Sequence, residues 1–230
     1  MGIGNLTEMT RKMIEKSQQR EDTGFEPEDF GRDYWLEAPL TGLSTRIDKS
    51  GNQVVVYWKA LFGDLPSGSI LDVGAGTGRS VSDMRKAGLD AYGCEFSPSG
   101  RELAKERFEL DLDFCDLRAR LPYEDNQFAW SMCIGVLSMI PKQFLPSAIS
   151  EILRVTQFGT LLLVMTHIDK QQNINPHHLT SMTSLEYWRV LKESGAFDWT
   201  AIQPPPRRPF GIGVLSGEFS GLFSKLDRPI

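Results

Sequence analysis

This sequence is poor in the features that mark secreted, membrane and nucleic-acid-binding proteins, and each scarcity excludes a class. Cysteine occurs only at Cys94, Cys115 and Cys133, an odd number with no metal-ligand spacing. Neither a disulfide framework nor a zinc site is expected, and the three read as buried free thiols. No stretch approaches the roughly 18 uncharged apolar residues that a spanning helix needs, and the first residues lack the apolar core of a signal peptide. A soluble, cytoplasmic protein with no membrane partner is the expectation. Basic residues never run beyond two in succession and the net charge is −5, so the chain has little pull on a phosphate backbone and nucleic acid is not an expected partner. Internal repeats are absent. Histidine is limited to His167, His177 and His178, which narrows the choice of any neutral-pH base.

What is present is an ordinary globular composition, 40 % hydrophobic and 24 % charged over 230 residues, enough for one sizeable core. Residues 1–30 are polar, with a helix-like stretch from Thr7 to Arg20. Tyr34 and Trp35 follow, Pro39 and Gly42 break the chain, and Val54 to Phe62 reads as a short apolar helix. Residues 1–62 are therefore taken as an N-terminal helical extension and lid, and residues 63–230 as the main domain. From Ser69 strand and helix patterns alternate: strands at Ser69 to Val73, Asp90 to Glu95, Leu112 to Cys115, Ala129 to Ile134 and Thr160 to His167, with a helix from Arg79 to Ala87. Such alternation requires crossovers and predicts a doubly wound α/β fold, a mostly parallel sheet with helices on both faces. Thr183 with Glu186 forms a capping-box pattern for a helix ending near Gly195. A further strand is predicted from Phe197 to Ile202, Pro204 to Pro206 form a rigid loop, and Gly211 to Leu215 is a last apolar segment.

Ligands in doubly wound sheets bind beyond the carboxyl ends of the strands. There the run Ile70 to Gly78 sets Gly74, Gly76 and Gly78 directly after a strand, with Asp72 at the strand end. Glycine lets a ligand lie against the main chain, and Asp72 can accept hydrogen bonds from an ammonium group. A dinucleotide fingerprint needs its third glycine where this chain has Arg79, so the spacing disfavours NAD.

ILDVGAGTGR resembles the first motif of class I S-adenosylmethionine-dependent methyltransferases, whose loop holds the methionine part of the cofactor. The resemblance extends to Glu95, where the family places the acid that grips the ribose hydroxyls, and to Phe96, positioned to stack on adenine. It reaches Asp116 in DFCDL, the family's carboxylate for the adenine amino group, with Leu117 supplying a neighbouring amide and Asp113 competing for the role. LPYEDNQFAW resembles the lead-in to the fourth strand, Cys133 to Val136 the strand end lining the methionine pocket, and Ile149 to Thr166 the fourth helix and fifth strand. It implies a seven-stranded sheet, S-adenosylmethionine as cofactor, and Asp72, Gly74, Ala75, Gly76, Gly78, Glu95, Phe96, Asp116, Leu117 and Cys133 as its binding set. No metal is implied. The chain departs from the family at Ala129, where an aspartate usually follows the phenylalanine, which puts the geometry of that strand's start in question.

For the acceptor, NINPHHLT resembles a loop of small-molecule and sugar-modifying members in which a histidine faces the acceptor. His178 matches it as candidate base, with His167 as a second candidate at a strand end. Tyr34 and Trp35 are candidate acceptor contacts in an aromatic lid. Tyr57 and Trp58, like Tyr187 and Trp188, read as packing, while Arg207 and Arg208 form a pair suited to an acidic group. The expectation is methyl transfer to an oxygen or nitrogen of a small molecule, a sugar or natural-product intermediate most narrowly. The alternatives are a non-catalytic binding or scaffold protein of the same fold and, behind it, an NAD-dependent oxidoreductase.

Overall fold

Between Ser69 and His167 each apolar run forms a strand, and the stretches between return the chain across the sheet. A computed structural model describes residues 20, 22–36, 54–55, 58–59, 63–167, 179–180, 182, 184–195, 198–200 and 216–224. A short helix α1 (Arg32–Leu36) precedes β1 (Ser69–Val73), α2 (Arg79–Lys86), β2 (Asp90–Glu95), α3 (Pro98–Phe108), β3 (Asp113–Phe114) and β4 (Phe128–Ile134). Then come α4 (Leu145–Val155), β5 (Thr156–His167), α5 (Ser184–Glu193), β6 (Asp198–Thr200) and β7 (Ser216–Ser224). The sheet order is β3-β2-β1-β4-β5-β7-β6. The pairs β1–β2, β1–β4, β2–β3 and β4–β5 are parallel, and β7 runs antiparallel to β5 and β6. The chain moves outward from β1 through β2 to β3 and restarts on the other side at β4. The strand order thus reverses beside β1, where a crevice opens at the carboxyl ends.

Strand alternation divides the core between two faces. Ile70, Val81, Met84, Trp130 and Met132 pack together on one, where Val55 and Trp58 join them from the helical pieces at 54–55 and 58–59. Leu71, Val73, Phe128 and Cys133 pack on the other against Ile149, Ile152 and Tyr187 of α4 and α5. Trp58 and Tyr187 are fully buried, as their packing role predicts.

β3 is shorter than the sequence expectation, β4 starts one residue earlier, at Phe128, and β6 lies within its expected span. β5 begins at Thr156, directly after α4, because the Thr156 hydroxyl donates back to Ile152 O (2.6 Å) and contacts Ser131 Oγ (2.8 Å), holding the helix end onto β4. The seventh strand of the expected sheet falls at Ser216–Ser224, where the sequence reading places no strand: its sequence SGEFSGLFS is polar and glycine-rich, and pairing along the length of β5 makes it a strand. At Ala129 the β4–β5 register shifts between Phe128 and Trp130, and a Cβ on Gly68 would stand 2.5 Å from the Ala129 Cβ. The strand start is therefore irregular, and only a small residue packs beside Gly68. The stretch Thr7 to Arg20 up to residue 19, most of Val54 to Phe62, Thr183, and Gly211 to Leu215 lie outside the described residues.

One side chain ties the lead-in of β4 to α4. Arg154 donates to Leu121 O (3.1 Å), Tyr123 O (2.8 Å) and Asp125 Oδ1 (2.8 Å), and forks onto Glu151 (2.9 and 2.8 Å). Glu151 in turn accepts from Leu121 N–H (2.9 Å), and Asn126 N–H donates to Arg154 O (2.8 Å). Hydrogen bonds to a charged group contribute about 1.5 to 3 kcal/mol net. Arg154→Ala is accordingly expected to lower stability by about 2 to 3 kcal/mol in urea denaturation, with Arg154→Lys recovering less than half because an ammonium lacks the planar fork. A loss below about 0.5 kcal/mol, the scale of an ordinary surface substitution, would contradict this clamp.

Candidate functional site

The turn after β1 is bound to the end of β2 by its own amides. Gly74 N–H and Ala75 N–H both donate to Cys94 O (2.9 Å each). Gly76 N–H donates to Glu95 Oε2 (2.7 Å), and Ser97 N–H donates to Glu95 Oε1 (2.8 Å). Gly76 is glycine for two reasons. Its φ of 56° lies in the left-handed region, and a Cβ there would stand 3.0 Å from the Trp35 ring. Trp35 is held in place by its indole N–H, which donates to Ser97 Oγ (3.1 Å), while that hydroxyl donates to Phe30 O (2.7 Å). Ser97 also accepts from Gly100 N–H (3.0 Å) and so caps α3.

Asp72 and Glu95 meet at the mouth of this turn as two desolvated carboxyls. Asp72 is 3 % exposed, and burial, with the neighbouring Glu95, pushes its pKa up to about 8. Burial also raises Glu95, against the backbone amides of Ser97, Gly76 and Phe96 that favour its ionised form. Two buried acids flanking a glycine turn form a site for a cationic ligand, because a positive group between them relieves both.

The cleft is lined by Asp72, Gly74, Ala75, Gly76, Glu95 and Phe96, and beyond them by Asp116 and Leu117. The topology thus brings eight of the ten expected cofactor residues to one cavity. Gly78 and Cys133 do not reach it. Gly78 packs beneath the turn, where a Cβ would stand 2.9 Å from Ala104 Cβ, and Cys133 faces α4 and α5 while its neighbours Met132 and Ile134 face the cleft. The cleft leaves about 170 Å³ for the centres of water-sized molecules, where one water needs roughly 10 to 15 Å³. It is the size of an organic ligand.

Tyr34 and Trp35, expected at the acceptor, lie on the cofactor side. Trp35 covers Gly76 and Ser97, and Tyr34 packs edge-on between Trp35 (4.8 Å) and Phe30 (5.0 Å). Burial and the proximity of Glu95 raise the Tyr34 phenol. His167 ends β5 opposite Ser216, and His178, His177, Arg207 and Arg208 lie outside the described residues. The sequence reading missed Phe25, Phe30, Arg118, Met139, Ile140 and Pro141, all lining the cleft. Arg118 had a usable signal, two residues from Asp116. The others carry no motif and reach the site through chain path alone.

This geometry bears comparison with known proteins. Residues 70–159 match the family model of a methyltransferase domain. The cleft sits at the reversal beside β1 in that segment. Over that segment the chain is similar to the core of class I S-adenosylmethionine-dependent methyltransferases. Demethylmenaquinone methyltransferases of Beutenbergia cavernae and Renibacterium salmoninarum are 36 % and 39 % identical over 104 and 106 residues, each alignment covering 44 % of this chain and 42 % of the relative. The chain thus matches well under half the length of these curated relatives. A putative S-adenosylmethionine-dependent methyltransferase of Methanococcus maripaludis superposes with a TM-score of 0.63 at 16 % identity, covering 87 % of this chain and 96 % of that one. Haemonchus contortus phosphoethanolamine N-methyltransferase 2, solved with S-adenosylhomocysteine and phosphomonomethylethanolamine, superposes with a TM-score of 0.58 at 19 % identity over 74 % of this chain and 45 % of that one. These likenesses show the fold.

The methyltransferase cofactor, S-adenosylmethionine, fits the cleft as built. Its ammonium and sulfonium suit the Asp72 and Glu95 carboxyls, and Glu95, which accepts from the Gly76 and Ser97 amides with the Phe96 amide beside them, has about four acceptor positions and so keeps room for a ribose hydroxyl. Phe96 lines the cleft with its ring stacked on Phe114 (6.0 Å) and the Arg118 guanidinium over it (5.2 Å).

The elevated Asp72 has a consequence for stability. A carboxyl that titrates near 8 in the fold, against an ordinary value of 3.8, binds its proton more tightly folded than unfolded. Its contribution is whole below the ordinary value and is lost as pH rises toward 8. Asp72→Asn is expected to gain on the wild type by more than about 1 kcal/mol between about pH 5 and pH 8, since one pKa unit is worth about 1.4 kcal/mol. Denaturant titrations at the two pH values check this, and a difference between the two proteins that does not change with pH would contradict it.

Proposed function

We propose that this protein transfers a methyl group from S-adenosylmethionine to an oxygen or nitrogen of an apolar small molecule. The observation that carries this reading is the pairing of Asp72 and Glu95 around the glycine turn in a cleft whose lining also includes the apolar Ile134, Val136, Met139, Ile140 and Pro141. The run 134–141, which lines the cleft after β4, carries no ionisable group at its lining positions, which favours an uncharged acceptor with a hydrophobic body. A natural-product ring suits such a wall better than a sugar, whose hydroxyls find few partners there. The relatives are named for demethylmenaquinone, which belongs in any acceptor panel.

When bound, S-adenosylmethionine supplies a methyl group on a sulfonium and leaves as a neutral thioether. The chain's own task is then alignment and exclusion of water, which for well-placed partners is worth about 7 to 11 kcal/mol of barrier. Asp72 and Glu95 orient the cofactor's amino acid and ribose. The aromatic roof of Phe25, Phe30, Tyr34 and Trp35 shuts out solvent, so that within the expected extension of residues 1–62 the lid is residues 22–36 over a catalytic unit of residues 63–230, while Val55 and Trp58 belong to the core. Where the acceptor begins as a hydroxyl or an ammonium, His178 takes its proton, with His167 as the second candidate.

Calorimetric titration is expected to give saturable binding of S-adenosylhomocysteine and none of NAD. Labelled S-adenosylmethionine incubated with hydroxylated, amino and quinone metabolites is expected to label an apolar member of the panel, and His178→Ala to slow that transfer far more than it weakens cofactor binding. Cofactor binding without transfer to any acceptor would favour a scaffold, and NAD binding an oxidoreductase.

A further inference from the structure

Arg118 stands where three parts of the cleft meet. Its Nε and Nη2 donate to Asp116 Oδ1 (3.0 Å) and Oδ2 (2.8 Å), and its own backbone N–H adds a bond to Oδ1 (2.8 Å). The same guanidinium lies 5.2 Å over the Phe96 ring. Its Nη1 donates to the Thr23 carbonyl (2.7 Å), which belongs to the N-terminal segment. One planar group therefore touches the carboxylate at the adenine end, the aromatic face beside it and the backbone that covers both. A lysine has no geometry for all three contacts.

The segment is shaped to receive this contact. Gly24 has φ 87°, and a Cβ there would stand 3.1 Å from Arg118 Nη1 and 3.3 Å from Pro141 Cδ. Across the cleft, Gln143 donates to the Asp22 carbonyl. Residues 22–24 thus cross from the turn after β3 to the turn after β4, and Phe25 and Phe30, both buried, hang from the crossing into the cleft. Further ties include the Arg118–Glu26 ion pair (4.0 Å), Ser97 to Phe30 and Trp35, and the fork of Arg32 onto Glu106 (2.9 and 2.6 Å), whose side chains are about half exposed and contribute little.

Asp116 is not used up by this arrangement. A carboxylate offers about four acceptor positions. Oδ1 takes two donors, while Oδ2 takes Nη2 and a longer, shared contact from Nε (3.1 Å), which leaves one for an exocyclic amino group. A base bonded to Asp116 beside Phe96 then joins a cluster already bonded to the Thr23 carbonyl, next to Gly24, which also lines the cleft.

We propose that Arg118 is a positioning residue that couples occupation of the adenine end of the cleft to closure of residues 22–36, and that this latch limits how fast the spent cofactor departs. The proposal rests on the reading that the cleft binds S-adenosylmethionine.

The test combines amide hydrogen exchange of residues 22–36, with and without S-adenosylhomocysteine, and the dissociation rate of the labelled ligand, in the wild type, Arg118→Met, Gly24→Val and the double variant. In the wild type the ligand is expected to slow exchange across the segment. Each single variant is expected to remove most of that slowing and to speed dissociation about tenfold, the worth of one charged hydrogen bond. The double variant is expected to be no faster than the faster single, because the two substitutions break the same contact from opposite sides. Wild-type dissociation and protection in either single variant would overturn the proposal, as would double-variant effects that multiply. Should Arg118→Met fail to fold, Gly24→Val and the wild-type comparison decide: no ligand-dependent slowing across 22–36 would overturn the latch. If the wild type binds no S-adenosylhomocysteine, the cofactor reading fails instead. Exchange in the ligand-free proteins then still shows whether Arg118 holds the segment, by faster exchange in Arg118→Met, or does not, by equal exchange.

Discussion

The Glu95 carboxylate is the point on which the site turns. One oxygen receives the Gly76 amide and the other the Ser97 amide, so a single side chain at the end of β2 fixes both the glycine turn after β1 and the start of α3. Charge-assisted bonds from backbone amides are among the stronger neutral-to-ion contacts available, and here they are made with almost no solvent present. They hold a burial-disfavoured carboxyl in place, and the strain of that burial is shared with Asp72 on the adjacent strand. A cleft so prepared favours a ligand that brings positive charge.

From that fixed point the aromatic cover follows. Ser97, set by its bond to Glu95, presents a hydroxyl that donates to Phe30 and receives Trp35. Trp35 can lie on the turn only because residue 76 carries no side chain. Phe25, Phe30, Tyr34 and Trp35 then contact one another in succession, edge to face, and Phe30 reaches Phe96 (6.4 Å). A polar N-terminal segment thereby delivers an apolar roof, and its far end is pinned at Arg118. The seat of the cofactor and its cover are one connected hydrogen-bonded unit.

The parts of this arrangement that could be read from sequence are those with a short-range physical signature. A buried strand followed by alternating glycines and a polar helix specifies β1, its turn and α2 within a few residues, and Glu95 and Asp116 are legible as acids at strand ends. Cys133 was misplaced because a motif gives position along a strand but not its face, and alternation sends 133 away from the cleft where 132 and 134 face it. β7 was missed because its strand character lies in pairing with β5, not in its own residues. Phe25, Phe30 and the Met139 to Pro141 turn were invisible for the same reason: nothing local says which distant surface they will cover. Arg118 carried a local signal, two residues from Asp116, but its contact with the Thr23 carbonyl, far away in sequence, carried none.

The most direct test of the central claim is a crystal structure of the chain with S-adenosylhomocysteine. The account predicts the amino group of the ligand at Asp72, a ribose hydroxyl on Glu95 and the base beside Phe96. Density for the ligand elsewhere, or a cleft left empty at saturating ligand, would contradict it.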